Sequence, residues 1–277
     1  MTIKDIVVNL SVAEGGEYAG DYAVSVAAAL DAHITGIAFV YDPIVPVAAT
    51  GYIPPEVIDT QQRDSETAAK AAIDHFNAAA ARAGVSAEPT TLAGSLAGAG
   101  DQFGRIARRF DLVIVGQAEP GKGAVEELIA ESALFESGRP VIMVPYIQKA
   151  PLKLDRVMVC WDGSRPATRA IADAMPILER AGQVEVVIVA NERGKQDEIP
   201  GADMGQHLAR HGLKVDIKRI SEGSIDVADA LLSHAADFSA DFIVMGGYGH
   251  SRLREFVLGG VTHSILRSMT APVLMSH

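Results

Sequence analysis

The sequence predicts an α/β protein: two tandem doubly wound parallel sheets of five strands each, packed as a pseudo-dimer within one chain. Three observations carry this expectation. First, the 277-residue chain is written twice. DIVVNLSVAEGGEYAGDYAVSVAAALDAHITGIAFV from Asp5 lays over DRVMVCWDGSRPATRAIADAMPILERAGQVEVVIVA from Asp155, and such internal similarity marks a repeated structural unit. Second, the halves end alike: DLVIVGQ from Asp111 matches DFIVMGG from Asp241, and RPVIMVPY from Arg139 matches APVLMSH from Ala271. Third, apolar strand-like runs alternate with helical runs throughout, the pattern of a parallel sheet covered on both faces.

Taken in order, each half opens with a short β-branched strand. A polar or glycine turn, an alanine-rich helix and a second apolar strand follow. The first half then carries an insertion, YDPIVPVAATGYIPPEVIDT over 41–60. Its prolines and apolar residues suggest a packed lid or, alternatively, a partner surface. A helix, SLAGAGDQFGRIARRF, leads to the fourth strand after Asp111, and SIDVADALLSHAADFSA does the same before Asp241. A break near Gln148–Pro151 divides the chain into domains 1–147 and 152–277. The two halves are expected to pack against each other, and capping the short apolar ends PVIMVPY and PVLMSH inside the chain avoids pairing with another chain.

The composition, 48% hydrophobic and 21% charged, is that of an ordinary globular protein. A net charge of −11 argues against general nucleic-acid binding. The single cysteine, Cys160, excludes an intrachain disulfide and reads as a small buried residue at a strand end. The N-terminus lacks a basic region followed by a long apolar core, and no apolar run reaches spanning length. A cytoplasmic location is the default expectation, without a membrane partner.

Chemistry concentrates in the second half. The run Phe242–Met245 breaks into Gly246-x2-Gly249, and Gly259-Gly260 follows after nine intervening residues. Glycines let the backbone approach an anion with N–H groups exposed, and a helix start adds a positive dipole. Val261 follows at the start of a helix running through His263, Leu266 and Arg267. His250 and Ser251 are candidate extra donors, whereas Arg252 and Arg254 read as solvated helix charges. In a doubly wound sheet the ligand lies beyond the carboxyl ends of the strands, where strand order reverses. The turn Trp161-Asp162-Gly163-Ser164 should meet the glycine loop there. Asp162 or Ser164 reads as a helix cap, with Pro166 in the first turn. A place beside the glycine loop gives Asp162 a second reading, as a ribose ligand. His207 and His211 have metal-ligand spacing on a helix but no evident third ligand, so they read as a surface feature.

These residues resemble the universal stress protein family in its tandem two-domain form, over nearly the full length. The motif is G-x2-G-x9-G followed by Ser or Thr, with an aspartate after the first strand and a final Pro-Val strand. Gly246, Gly249, Gly259, Asp162 and APVLM from Ala271 match it. The resemblance implies a Rossmann-like fold of the adenine nucleotide alpha hydrolase type, and ATP as cofactor with or without Mg2+. By that resemblance Asp162 holds the ribose. Val189 or Ala190 lies near the adenine with Met245. Gly246, Gly249, Gly259, Gly260 and Val261 wrap the phosphates. Gly260 departs from the pattern, standing where the family has Ser or Thr, and Thr262 is a substitute hydroxyl.

The first half departs further. Val12 replaces the aspartate. Gly116 persists, but Glu127, Leu128 and Ile129 stand at the second glycine position. Glu119, Glu126 and Glu127 would repel phosphates, with Lys122 a partial compensation, so the first domain is not expected to bind ATP. The expected function is an ATP-binding regulatory or sensory protein in a stress response, acting through nucleotide-dependent conformation or an unknown protein partner. A slow ATP hydrolase, a nucleotide-free scaffold and a flavin carrier are alternatives. The aromatic content of 5% speaks against the flavin. No P-loop or nucleophile elbow supports an enzyme. Whole chains could pair again as a homodimer.

Overall fold

The computed structural model describes residues 2–13, 15–43, 54–121, 124–190, 201–221, 226–247 and 260–277. The first half contributes β1 (Asp5–Leu10), α1 (Tyr18–Leu30), β2 (His33–Tyr41), α2 (Pro55–Ala83), β3 (Ala87–Gly94), α3 (Ala99–Ala107), β4 (Leu112–Gly116), α4 (Ala124–Glu136) and β5 (Val141–Val144). The second contributes β6 (Arg156–Cys160), α5 (Arg165–Leu178), β7 (Gln183–Ala190), α6 (Ala202–Arg210), β8 (Val215–Ser221), α7 (Val227–Phe238), β9 (Phe242–Gly246), α8 (Gly260–Ser268) and β10 (Val273–Ser276).

The two expected five-stranded sheets join into one ten-stranded sheet, in the order β3-β2-β1-β4-β5-β10-β9-β6-β7-β8. Pairing is parallel within each half. It is antiparallel at the junction, where Val273, Leu274 and Met275 of β10 face Met143, Ile142 and Val141 of β5. The period of two along each strand then sorts the side chains between two cores. Ile6, Val8, Ile114, Ile142, Leu274, Val244 and Val157 face α1, α2, α5 and α6. Val7, Val113, Met143, Met275, Ile243 and Met158 face α3, α4, α7 and α8.

The insertion differs from its expectation. Residues 44–53 lie outside the described residues, but Pro55–Thr60, read as loop, open the 29-residue helix α2. Pro55 at the first helical position supplies a fixed φ without sacrificing a needed N–H. The helix ends at Gly84, whose φ of 66° lets its N–H return to the carbonyls of Ala80 and Ala81. Phe76 of α2 is buried and anchors the helix over the sheet.

Each half is pinned by the same device. The Asp111 carboxylate accepts the backbone N–H groups of Lys4 and Asp5, at 2.9 and 3.1 Å. The Asp241 carboxylate accepts the N–H of Arg156 at 3.0 Å and the Lys153 ammonium at 3.1 Å. The segment joining the halves docks on α1, where the Leu152 N–H donates to Ser25 Oγ at 2.8 Å. No helix among the described residues is long and apolar enough to cross a membrane.

Leu274 is fully buried at the junction. Leu274→Ala is expected to lower unfolding free energy by about 2–5 kcal/mol. A urea titration followed by circular dichroism checks it, and a loss under about 1 kcal/mol would contradict the tight junction.

Candidate functional site

In the second half, β6 lies between β9 and β7, and strand order reverses between β6 and β9. The turn after β6 and the glycine turn after β9 therefore emerge side by side. Their convergence follows from pairing that aligns Val159 of β6 with Val244 of β9.

Ser164, not Asp162, caps α5: its Oγ accepts the Ala167 N–H at 3.2 Å. Pro166 lies in the first turn. Asp162 is exposed, and its Oδ1 accepts the Ser164 N–H at 2.9 Å. That bond fixes the carboxylate's orientation. Its second oxygen has no hydrogen bond among the described residues and remains able to accept from a ligand.

Met245 is buried at the end of β9, while Val189 is half-buried near the end of β7. Both belong to the core facing α7 and α8. Ala190 closes β7, its backbone in register with Ser221. Gly246 ends β9 against the start of α5, where a Cβ would lie 2.5 Å from the Ala167 nitrogen. Its glycine is thus required by close packing of backbone on backbone, beside whatever it offers a ligand. Gly260 and Val261 begin α8, as the sequence predicts, and a Cβ on Gly260 would meet none of the described residues within 4 Å. Thr262, read as a substitute hydroxyl, is buried and already engaged. Gly249, His250, Ser251, Arg252, Arg254 and Gly259 lie outside the described residues.

Cys160 belongs to this wall, although sequence reading treated it as packing alone. It ends β6 between β9 and β7, on the face shared by Val189 and Met245. Burial, and then the nearby Asp162 carboxylate, push its thiol up to about 12. The signal was available in strand alternation, since Cys160 lies two residues after Met158. His207 and His211 are exposed, with ring centroids 4.8 Å apart.

The corresponding turns of the first half make side-chain contacts of their own. Val12 packs on the core. Ser11 Oγ donates to Glu126 Oε1 at 3.0 Å, tying the end of β1 to the start of α4. Tyr18 stands directly behind Gly116, and its hydroxyl donates to the Gln117 carbonyl at 2.7 Å.

Residues 153–277 match the model of the universal stress protein family. The match lies wholly within the second half. A curated relative, universal stress protein Slr1230 of Synechocystis sp., is 26% identical over 171 residues. The match covers 60% of this chain and spans 57% of that relative's length. The crystal structure of a universal stress protein from Archaeoglobus fulgidus superposes with a TM-score of 0.72 at 18% identity, covering 98% of this chain and 97% of that one. A functionally unknown protein from Pseudomonas aeruginosa gives 0.61 at 13% identity, covering 99% and 92%. The two-half architecture is therefore shared over essentially the whole chain, while the family model itself matches the half that holds the glycine motif.

The raised thiol of Cys160 sets a testable chemistry. Because its folded value exceeds the ordinary thiol value of about 8.5, the folded state is favoured below that pH. That contribution is lost as pH rises through about 12. At pH 8 the folded protein is expected to resist a colorimetric disulfide reagent, whereas the denatured chain reacts fully. Rapid labelling of the folded protein would contradict the raised thiol of this part-buried residue.

Proposed function

We propose that residues 152–277 form an adenine-nucleotide-binding domain whose occupancy by ATP regulates a stress response. Residues 1–147 form a companion domain that does not bind ATP in the same manner. The observation that carries this reading is the convergence of two turns at the β6–β9 switch point. One presents the exposed Asp162 carboxylate. The other opens at Gly246 and leads to α8 at Gly260. The wall beside them is formed by Met245, Cys160 and Val189.

The residues suit the group. An oriented carboxylate with a spare oxygen can accept a ribose hydroxyl, a charge-assisted bond of roughly 1.5–3 kcal/mol. An apolar wall offers a surface to a purine. The start of α8 offers N–H groups and a positive dipole to phosphates, and Gly260 there is exposed among the described residues. ATP would bring its phosphates to that helix start. The protein's part is to orient the sugar and read the phosphates, which suits a sensor. In the first half, Ser11 is bonded to Glu126 and Tyr18 to Gln117, and carboxylates replace the glycines in the sequence, which supports a first domain that does not bind ATP. The protein partner that reads the occupied state is left to experiment.

Denaturing the purified protein and identifying any released nucleotide, followed by calorimetric titration, tests the reading. About one ATP per chain is expected, at micromolar affinity, near −8 kcal/mol. Asp162→Ala should weaken it by about tenfold or more. Two ATP per chain would overturn the assignment of the first half, and the absence of both nucleotide and heat would overturn the site.

Gly260→Ser supplies the missing hydroxyl where there is room for it. It is expected to tighten ATP binding about fivefold, the equivalent of about 1 kcal/mol. Unchanged or weaker binding in the same titration would show that the α8 start does not contact phosphate.

A further inference from the structure

A cavity of about 370 Å³ opens between the two halves, separate from the β6–β9 switch point. One wall is the loop after β4, including Gln117 and Glu119, together with Glu127 and Glu131 of α4. The other wall is His263, Leu266 and Arg267 of α8. Ala130 and Met143, both buried, add an apolar base. The volume lies at the small end of the range for organic ligands.

The chemistry of this cavity inverts that of the glycine site. Where the second half has glycines, the loop and helix start of the first half carry carboxylates. Glu127 and Glu131 are one turn apart on α4, so they share a face. Among the described lining residues, Glu127 and Glu131 face His263 and Arg267, while Glu119 is already engaged. The Glu131 carboxyl is held above the usual carboxylate range by burial first and by Glu127 second, with His263 acting the other way. An ammonium group placed beside it would relieve that crowding. Gln117 fixes the mouth, since its Nε2 donates to the Leu266 carbonyl at 2.8 Å and its Oε1 accepts the Tyr146 N–H at 3.2 Å. The two walls are thus tied across the halves by a buried side chain.

We infer that this inter-half cavity binds a small aliphatic ammonium compound, its cation held by Glu127 and Glu131 and its apolar body resting on Met143 and Leu266. Arg267, on the opposite wall, favours a ligand that also carries a carboxylate over a diamine. The inference stands apart from the nucleotide reading, because its residues and its ligand charge are different.

Calorimetric titration of the full chain at pH 7 with n-butylamine, leucine, putrescine, sodium butyrate and magnesium chloride tests it. Butylamine and leucine are expected to bind with millimolar or better dissociation constants, leucine more tightly, and butyrate not at all. Glu131→Gln should weaken both by about tenfold while leaving the melting temperature of the unliganded protein essentially unchanged. If that variant does not fold, the more exposed Glu127→Gln serves, with the same direction of effect. Butyrate binding as well as butylamine, magnesium alone giving the response, no binding up to about 10 mM, or amine affinity indifferent to both glutamates would each overturn the inference.

Discussion

The antiparallel pairing of β5 with β10 is the constraint on which the structure depends. Both strands are buried along their length, and every residue but Ser276 is apolar. In a half taken alone, one of them would be an open edge presenting unpaired N–H and C=O groups beside bare methyl groups, a template for association. Pairing the two edges closes them against each other and makes the sheet continuous. The edges that remain are β3 and β8. The first carries Glu88 and Pro89, the second Asp216, Lys218 and Arg219. Charge and proline on an edge strand discourage a further strand from adding. The tandem fold therefore moves its aggregation-prone edges inward and leaves polar ones outside.

That junction also decides where α4 and α8 lie. Each precedes a junction strand, and both pack on the same face of the sheet. The inter-half cavity follows from this placement, as does the Gln117 bond to Leu266, which spans 149 residues of sequence. The glycine motif at the start of α8 and the acidic start of α4 thus belong to related helices with opposite electrostatic character. Sequence divergence between the repeats has changed the charge at these helix starts and kept the scaffold that positions them.

The repeats keep their framework by short-range chemistry. Asp111 and Asp241 stand just before matching strands, and each carboxylate accepts backbone N–H groups at the start of the neighbouring first strand. A carboxylate bonded in this way is a stronger acceptor than a carbonyl. The device fixes the level at which β1 meets β4 and β6 meets β9, and with it the height at which the turns converge. The halves diverge where those turns begin. In one, Ser164 caps the helix and leaves Asp162 exposed. In the other, Val12 is packed away and Ser11 is spent on Glu126.

The sequence by itself determined the fold class, the repeat, the strand that each half would end on, and the glycine and aspartate positions of the second half. These are local or periodic properties: alternation, helical spacing, turn chemistry and the recurrence of Asp111 in Asp241. Tertiary structure decided the rest. It made Ser164 the cap and freed Asp162, because a cap depends on backbone angles that either residue could satisfy. It turned Pro55–Thr60 from loop into helix, because apolar contact through residues such as Phe76 stabilises a helix that begins at a proline. It brought Cys160 between Met245 and Val189, and Glu131 across from His263. Proximity of residues so far apart in the chain is set by strand order and junction, and no local pattern encodes it.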